Sequence, residues 1–375
     1  MKFKFQEIVD VTMGQSPKSE YYNTDGKGYP FLQGNRTFGF KHPTFDTYTT
    51  VMTKPAKAGD VLMSVRAPVG DLNITPVDMC LGRGVCSLRM KNGNQSFLYY
   101  MMKYYVPHLL KKESGTVFGS VNRSDINGLE VDIPEDEQIQ RRIARYLEMI
   151  DEKIELNNAI NNNLEQQAKA LYKDWFFDFS PFSTEGNLPD GWHLGTVGDI
   201  IQLHDSKRVP LSGSERDKME KKYPYYGATS LMDYVDNYLF DGIYLLLGED
   251  GTVVDSLGFP ILQYVYGQFW VNNHAHIITG KEGFSVEELY LFFSLTNIKS
   301  IVTGAVQQKV SQQNLKKVPA IIPSKEALSA FDDLIQPIFA QIRNLRDENA
   351  HLADLRDTLL PRLMSGELDV SDIEI

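Results

Sequence analysis

The chain has 375 residues, 42% hydrophobic and 23% charged, and this ordinary globular composition predicts two or three domains. It has no apolar run long enough to span a membrane and no apolar signal core near its start. Its two cysteines, Cys80 and Cys86, are too few for a disulfide framework or a zinc site. These features predict a cytoplasmic protein, and the net charge of −11 argues at first against a nucleic-acid ligand.

The negative charge is distributed unevenly along the chain. The net charge is +4 for residues 1–134, −4 for residues 135–180, −5 for residues 181–323 and −6 for residues 324–375. Much of the acidic charge therefore lies on two segments for which long helices are predicted below. An acidic helix surface is usually just solvated, and a docking face for a more basic partner is the alternative.

Residues 1–134 are predicted to form a first globular domain that is α+β or mainly β. The short apolar runs Val61–Val65 and Val85–Met90 lie between turn signals and are predicted to be strands. Ser96–Leu110, which is rich in tyrosine and methionine, is predicted to be an amphipathic helix.

Residues 135–180 are predicted to form a long central helix, since residues 135–179 contain no glycine or proline. Apolar residues recur there at steps of three and four, which predicts a rod of roughly 60 Å that needs a partner helix. The predicted stripe consists of Ile139, Ile143, Leu147, Ile150, Ile154, Leu164, Ala168, Leu171 and Trp175. Asn157 and Asn161 lie within it, where a buried amide fixes the register of a coiled coil.

Residues 181–323 are predicted to form a second globular domain organised like the first. Ile243–Leu247 and Ile261–Tyr266 are predicted to be strands, and Val286–Leu295 is predicted to be a helix.

Residues 324–375 are predicted to form a distal long helix followed by a C-terminal tail. Asn349 supplies a central polar layer, and Pro337 and Pro361 are predicted to kink the helix. The apolar residues of the stripe are Phe331, Ile335, Ile338, Ile342, Leu345, Leu352, Leu359 and Leu363.

The end of each globular part reveals an internal repeat at a constant offset of 189 residues. The offset aligns Gly115 with Gly304, Val117 with Val306, Val121 with Val310, Ile126 with Leu315, Leu129 with Val318, Ile133 with Ile322 and Pro134 with Pro323. Continued further, it aligns the two long helices.

The predicted fold class is α+β, with two similar globular domains separated by two long helices. We expect the helices to pair as an antiparallel coiled coil, so that a pseudo-twofold repeat within one chain imitates a homodimer. The alternative is that both segments are ordinary core helices.

Motifs for catalysis are absent from the sequence. It has no phosphate-binding loop, no glycine-rich dinucleotide turn, no GxSxG elbow and no HExxH motif. His274 and His276 have the spacing of two metal ligands on one strand face, but no Cys, Asp or Glu cluster lies nearby in the sequence. We therefore predict no metal site and interpret both histidines as polar or core residues.

Loops rich in amide, hydroxyl and basic side chains favour nucleic-acid binding, since these side chains read base edges and hold phosphates. Singly, each is more often a solvated surface residue. The candidates in the first domain are Gln33, Asn35, Arg36, Lys41, Arg66, Arg83, Asn122 and Arg123. The candidates in the second domain are Lys207, Arg208, Asn272, Asn273, His274, Gln307, Gln308, Lys309, Gln312 and Gln313.

The sequence resembles the DNA-specificity subunits of type I restriction–modification enzymes. The resemblance is carried by the long-helix segment 147–179, by its distal counterpart 355–368 and by the strand 270–278. It extends to both segments that end in Ile-Pro before a long helix, and it covers essentially the whole chain.

The resemblance implies two target-recognition domains that each read one half of an asymmetric bipartite site in double-stranded DNA. It also implies that the long helices hold these domains apart as a spacer ruler and dock two modification subunits, which bind S-adenosylmethionine as methyl donor. Restriction subunits, which are ATP-dependent translocases and nucleases, join the same complex. The subunit itself would need no cofactor and no catalytic residues, and the family shares no set of base-contacting residues that we can transfer.

Two other function classes were weighed against this one. A non-catalytic adaptor whose coiled coil joins two protein-binding domains differs from it in lacking sequence-specific DNA binding with a methyltransferase partner. A hydrolase with a dispersed site would need a convergent set of acids or nucleophiles, and no such set can be assembled from the sequence.

Overall fold

The computed structural model of the protein describes residues 1–111, 120–182, 188–304 and 307–370. By its contacts the chain divides into unit 1, Met1–Asn158 with Arg346–Ile375, and unit 2, Ala159–Leu345. Both unit boundaries fall inside long helices, so each unit contains part of both helices. The domain limits drawn from the sequence at residues 134, 180 and 323 stay predictions.

Helices and strands follow one another throughout the described residues. The elements of the first half are β1 (Lys2–Lys4), α1 (Phe5–Ile8), β2 (Val9–Met13), β3 (Tyr22–Asn23), β4 (Tyr29–Leu32), β5 (Tyr48–Thr49), β6 (Pro55–Ala56), β7 (Val61–Ser64), β8 (Leu72–Ile74), β9 (Met79–Leu81), β10 (Val85–Met90), α2 (Gln95–Lys111), α3 (Arg123–Asn127), β11 (Glu130–Asp132) and α4 (Glu137–Phe176).

The second half of the chain contains the remaining elements. They are β12 (His193–Thr196), α5 (Val197–Ile200), β13 (Ile201–Leu203), α6 (Gly213–Arg216), β14 (Tyr223–Tyr226), β15 (Leu231–Val235), β16 (Phe240–Gly248), β17 (Asp250–Gly251), β18 (Leu262–Val271), β19 (Ala275–Gly280), α7 (Val286–Leu295), β20 (Gln308–Lys309), α8 (Gln312–Leu315), β21 (Pro319–Ile322) and α9 (Lys325–Met364).

The two halves repeat one topology, which confirms the predicted internal repeat. The first strand pairs with the last strand before the long helix, β1 with β11 and β12 with β21. Unit 1 has sheets of order β2-β10-β7-β8 and β3-β5-β4-β9-β6, and unit 2 has one sheet of order β13-β19-β16-β18-β14-β15. The strands β4 and β9 pair in parallel, and so do β14 and β18.

The aligned apolar residues of the repeat occupy matching places in the two cores. Ile126 in α3 and Leu315 in α8 are fully buried, and Val121 and Val310 are buried just before these helices. Gly115, Val117 and Val306, which the offset of 189 residues also aligned, lie outside the described residues.

The long helices belong to the cores of the units instead of lying apart from them. In unit 1, Ile143 and Leu147 of α4 and Leu363 of α9 share one hydrophobic cluster with Phe97 and Tyr100 of α2. The prediction of a rod separate from the globular cores is therefore wrong for these segments. The reason is that α2 presents its own apolar face, which the paired helix segments cover.

Unit 2 contains the same kind of helix pairing, built mainly from aromatic rings. Tyr172 and Phe176 of α4 pack on Phe331 of α9, with ring centroids 5.5 Å and 4.8 Å apart. Ala168 and Phe339 belong to the same cluster, so the two segments bury their stripes against one another.

The observed stripe of α4 departs from the predicted one at an acidic residue. Asp151 is fully buried, and the neighbouring Ile150, predicted to be in the stripe, is only half-buried. The Asp151 carboxylate accepts hydrogen bonds from the Tyr100 hydroxyl at 2.8 Å and from Arg356 Nη1 of α9 at 2.9 Å. Since a buried carboxylate is tolerated only when it is paired, apolar periodicity alone could not find this position.

Contacts near Asp151 show the relative direction of the α4 and α9 segments within unit 1. Asn157 Nδ2 donates hydrogen bonds to Glu348 Oε2 at 2.8 Å and to Asn349 Oδ1 at 2.9 Å. Because residue numbers rise along α4 while those of the α9 partners fall, the two segments are antiparallel.

Helix α9 is continuous across Pro337 and Pro361, and the kinks expected there stay a prediction. Across the described part of the chain, no helix has both the length and the apolarity needed to cross a bilayer.

The variant Arg356→Ala is expected to destabilise unit 1 by about 3 kcal/mol, because the buried Asp151 carboxylate loses its closest cation and keeps only Lys103, whose Nζ lies 4.0 Å away. Hydrogen–deuterium exchange of α2 and of the first half of α4 measures this loss. The control Arg362→Ala removes an exposed ion pair with Glu367 from the same helix and should cost at most about 1 kcal/mol. Equal exchange in the two variants would show that the buried pair does not stabilise the unit.

Candidate nucleic-acid interfaces

Four loops of unit 1 that contain most of the predicted DNA-binding residues are joined by backbone hydrogen bonds. Gly84 N donates to Gln33 O at 2.9 Å, Val65 N to Gly84 O at 2.9 Å, and Val121 N to Val65 O at 3.1 Å. The loops that follow β4, β7 and β9 and the one that precedes α3 therefore meet. This cluster brings together the candidates Gln33, Asn35, Arg36, Arg66, Arg83, Asn122 and Arg123, which are far apart in the sequence.

Several of these candidates already have partners within unit 1. Arg36 forms an exposed ion pair of 2.6 Å with Asp46, and its hydrogen bond lowers the pKa of the Asp46 carboxyl. Asn35 donates a hydrogen bond to Asp71. Gln33 Oε1 accepts one from the Ser16 hydroxyl at 3.2 Å. Ion pairs and amide contacts of this exposed kind are weak, so these side chains can exchange them for contacts with a ligand.

Two candidates of unit 1 are less available to a ligand, since Lys41 is buried and Asn122 caps a helix. Lys41 is 8% exposed, so its ammonium is less accessible than expected of a loop lysine. Asn122 caps helix α3, since its side chain accepts hydrogen bonds from the backbone N–H groups of Ser124 and Asp125. Within the described ranges, the side chains of Arg66, Arg83 and Arg123 have no hydrogen-bond or ion-pair partner, and all three are exposed.

Unit 2 repeats the loop cluster with two of the same backbone bonds and with a third that corresponds to the bond from Gly82 N to Leu32 O, at 2.7 Å, in unit 1. Asn272 N donates to Tyr226 O at 3.0 Å, Glu249 N to His274 O at 2.8 Å, and Val310 N to Glu249 O at 2.8 Å. These bonds join the ends of β14, β18 and β16 to the segment before α8, as the corresponding bonds do in unit 1. The predicted residues Asn272, Asn273, His274, Gln307, Gln308, Lys309, Gln312 and Gln313 lie in this cluster or beside it.

A buried network of charges supports the cluster of unit 2. Asp205 accepts hydrogen bonds from His276 Nδ1 and Gln312 Nε2, both at 2.6 Å, and from Ile277 N at 2.9 Å. Burial by itself would raise the pKa of Asp205, but the hydrogen bonds and charges of His276 and the nearby Arg208 outweigh it and lower that pKa. The carboxylate is therefore held in its charged form. No local pattern in the sequence points to Asp205, because the donors of its side-chain hydrogen bonds lie 71 or more residues further along the chain.

Arg208, predicted to bind DNA, is the cation of this network. It is half-buried and forms an ion pair of 2.6 Å with Glu249. It also donates to the carbonyls of Asn273 at 3.3 Å and Ala275 at 2.8 Å. With its guanidinium committed in this way, Arg208 holds the loop in place and has little capacity left for a ligand.

Asp205, Glu249 and His276 have ligand atoms within 4.8 Å of one another, a spacing that suits a metal ion. Their oxygens and nitrogens are already used by Arg208, by Lys309 at 3.4 Å from Glu249 and by the Val310 carbonyl at 2.8 Å from His276. Two cations beside these carboxylates already compensate their charge. The donor set therefore does not favour a metal.

The two histidines singled out in the sequence have different environments. His276 is fully buried between Asp205 and Val310, whereas His274 pairs with Asp250 at 2.6 Å and is half-buried.

The remaining predicted DNA-binding residues of unit 2 differ in how far they are exposed to solvent. Asn272 is buried and makes its contacts within the unit, and the exposed ones are Lys207, Asn273, Gln307, Gln308, Lys309, Gln312 and Gln313.

Comparison with protein families shows two matches within this chain. The family described as "Type I restriction modification DNA specificity domain" matches residues 1–166 and 189–350, which is most of the sequence. Each match begins at or just before the first strand of one half of the repeat and ends inside a long helix.

Individual relatives with similar sequences include three from two organisms. The MjaIX type I restriction enzyme specificity subunit of Methanocaldococcus jannaschii is 24% identical over 99% of this chain and 94% of its own length. The provisionally named MjaX specificity subunit of the same organism is 36% identical, over 44% of this chain and only 39% of that protein. The HindI specificity subunit of Haemophilus influenzae is 25% identical over 84% of this chain and 88% of its length.

A solved structure shares the fold. The crystal structure of a type I restriction–modification S subunit from M. genitalium superposes with a TM-score of 0.54 and 18% identity. The alignment covers 99% of this chain and 96% of that one.

The variant Arg208→Ala is expected to destabilise unit 2 by about 3 kcal/mol, because it leaves the Asp205 and Glu249 carboxylates without their guanidinium. All three tryptophans, Trp175, Trp192 and Trp270, lie in unit 2, so urea unfolding followed by tryptophan fluorescence reports this unit. The exposed neighbour Lys207→Ala is the matched control and should change stability by no more than about 0.5 kcal/mol. An Arg208→Ala protein as stable as this control would mean that the guanidinium is not structural.

Proposed function

Since the chain belongs to the type I restriction–modification DNA specificity family, as its resemblance predicted, we propose that it is the DNA-recognition subunit of a type I restriction–modification complex. The subunit has no catalysis of its own and binds no cofactor. It directs a methyltransferase and an endonuclease to their target sequence. The complex acts on DNA in the cytoplasm.

The observation that carries the proposal is the duplicated loop cluster. Two units of one topology bring polar loops together by three equivalent backbone bonds, donated by Val65, Gly82 and Val121 in unit 1 and by Glu249, Asn272 and Val310 in unit 2. The backbone frame is shared while the exposed side chains differ. Two like scaffolds with unlike surfaces suit a bipartite target whose halves have different sequences.

In this proposal the long helices set the distance between the two half-sites. Helices α4 and α9 each have 40 residues, or about 60 Å, and we propose that they pair as an antiparallel coiled coil. The hydrogen bond between Asn157 and Asn349 supports a role for these amides in fixing the register, because a slipped pairing would leave the buried Asn157 amide without its partners. Asn161, which is buried in α4, takes the same role.

The long helices also offer a surface for modification subunits. Met149 and Leu156 of α4 are 48% and 55% exposed, and their spacing of seven residues places them on one helix face. Exposed apolar side chains on one face favour a partner helix over solvent. We propose that two modification subunits, which bind S-adenosylmethionine, dock on the helices and that restriction subunits join them.

The charge of the chain limits the DNA affinity of the subunit alone. Residues 1–134 have a net charge of +4 and residues 181–323 of −5, so the second recognition domain gains little from phosphates. Partner subunits therefore supply much of the phosphate contact.

Co-expression of the full chain with its modification subunit should direct methylation to one bipartite motif with an unread spacer, which methylome sequencing detects. The purified chain alone should bind a duplex containing that motif weakly, because phosphate contacts provide most of the affinity of such complexes. Methylation without a defined motif, or nanomolar binding by the chain alone at physiological salt, would contradict the proposal.

Insertion of seven residues after Asn158 in α4 and before Arg346 in α9 should lengthen the spacer, because each helix gains about 10 Å. Both half-sequences should stay unchanged, since neither loop cluster is altered. Methylome sequencing of the variant with its modification partner gives the new motif. Altered half-sequences with the original spacer length would contradict the role of the helices as a ruler.

A further inference from the structure

One turn occupies the equivalent position in both loop clusters. In unit 1 it consists of Gly82, Arg83 and Gly84, between β9 and β10, and in unit 2 of Asn272, Asn273 and His274, between β18 and β19. Each turn follows a strand in parallel pairing. Its first residue donates to the partner strand, Gly82 N to Leu32 O at 2.7 Å and Asn272 N to Tyr226 O at 3.0 Å.

The backbone of each turn is held at several points. In unit 1 the Arg83 N–H donates to the Ser16 hydroxyl at 3.1 Å. A Cβ at Gly82 or Gly84 would lie 2.6 Å or 2.5 Å from a backbone oxygen, so the chain packs closely there. In unit 2 the Asn273 carbonyl accepts from Arg208 at 3.3 Å. The central residue of each turn is therefore attached to a backbone that is held in a fixed position.

The outer residues of each turn offer a ligand less than the central one. In unit 1 both outer residues are glycines. In unit 2 Asn272 is buried, and its Oδ1 accepts from His274 N at 2.8 Å, while His274 pairs with Asp250 at 2.6 Å. The central residues, Arg83 and Asn273, are exposed, and their side chains have no partner within the ranges that the structure describes.

We propose that Arg83 reads a guanine in one half-site and that Asn273 reads an adenine in the other, an inference that rests on the proposed function. A guanidinium fork matches the O6 and N7 acceptors of guanine, and a carboxamide matches the N6 donor and N7 acceptor of adenine. Since the turns are held before DNA binds, little conformational entropy is lost when these contacts form. Asn273 carries no charge and stands beside the carboxylate-rich network of unit 2, so it contacts a base edge and not a phosphate.

The test uses the full chain co-expressed with its modification subunit, with methylome sequencing as the readout. Arg83→Ala should make one guanine position degenerate in a single half-site, with a tenfold or larger loss of preference for that base. Asn273→Ala should do the same at an adenine position of the other half-site. In each variant the opposite half-site and the spacer length stay as in the wild type.

Two conservative variants separate base reading from other roles. Arg83→Gln replaces the fork by a carboxamide, so it should shift the preference from guanine towards adenine, and an unchanged motif in this variant would overturn the assignment in favour of a phosphate contact. Asn273→Asp can no longer donate and should shift preference from adenine towards cytosine, whose N4 is a donor. Copurification with the modification subunit verifies that each variant is folded.

The experiment distinguishes a failure of the proposed function from a failure of the two base assignments. A wild-type chain that directs no methylation to a bipartite motif counts against the proposed function. A wild-type chain that does so, with variants that leave the motif unchanged or reduce methylation equally at every site, overturns the base assignments alone.

Discussion

The structure of each unit depends on burying charged side chains where its globular part meets the long helices. In unit 1, Asp151 of α4 is bound by Tyr100 of α2 and by Arg356 of α9. In unit 2, Glu287 of α7 accepts hydrogen bonds from Tyr264 of β18 at 2.6 Å and from Arg343 of α9 at 3.0 Å. Each network joins three elements that are distant in sequence.

These networks restrict how a recognition surface can move on its helices. A buried carboxylate separated from its arginine would cost several kcal/mol, so displacement of α2 on the helix pair in unit 1, or of α7 on α9 in unit 2, is opposed strongly. The apolar clusters that surround both networks add to this resistance, since close-packed interiors deform little. Within each unit the globular part is therefore held rigidly against its segments of α4 and α9.

In both units backbone groups hold the loop cluster together, whereas the exposed side chains differ between the units. The backbone bonds of the loop clusters, at Val121 and Val310 for example, need only N–H and C=O groups, so they persist when side chains change. Glycines flank Arg83 in unit 1, whereas Asn272 and His274 flank Asn273 in unit 2. The frame therefore tolerates different exposed residues.

The sequence by itself determined the elements and their repetition, because hydrophobic periodicity and turn residues are local signals. Helix Val286–Leu295 was predicted with its observed ends, and the long helices, predicted within 135–180 and 324–375, are observed as Glu137–Phe176 and Lys325–Met364. The family was also identified from such motifs, since the matched segments span most of the chain.

Only the tertiary structure decided which polar residues are free. Arg208 and Lys41 looked like surface cations in the sequence, but one is paired with Glu249 and the other is buried. Asp151, one of the many acidic residues of the long central helix, is fully buried in a core. A charge is buried or exposed according to partners supplied by distant segments, and neither composition nor periodicity contains that information.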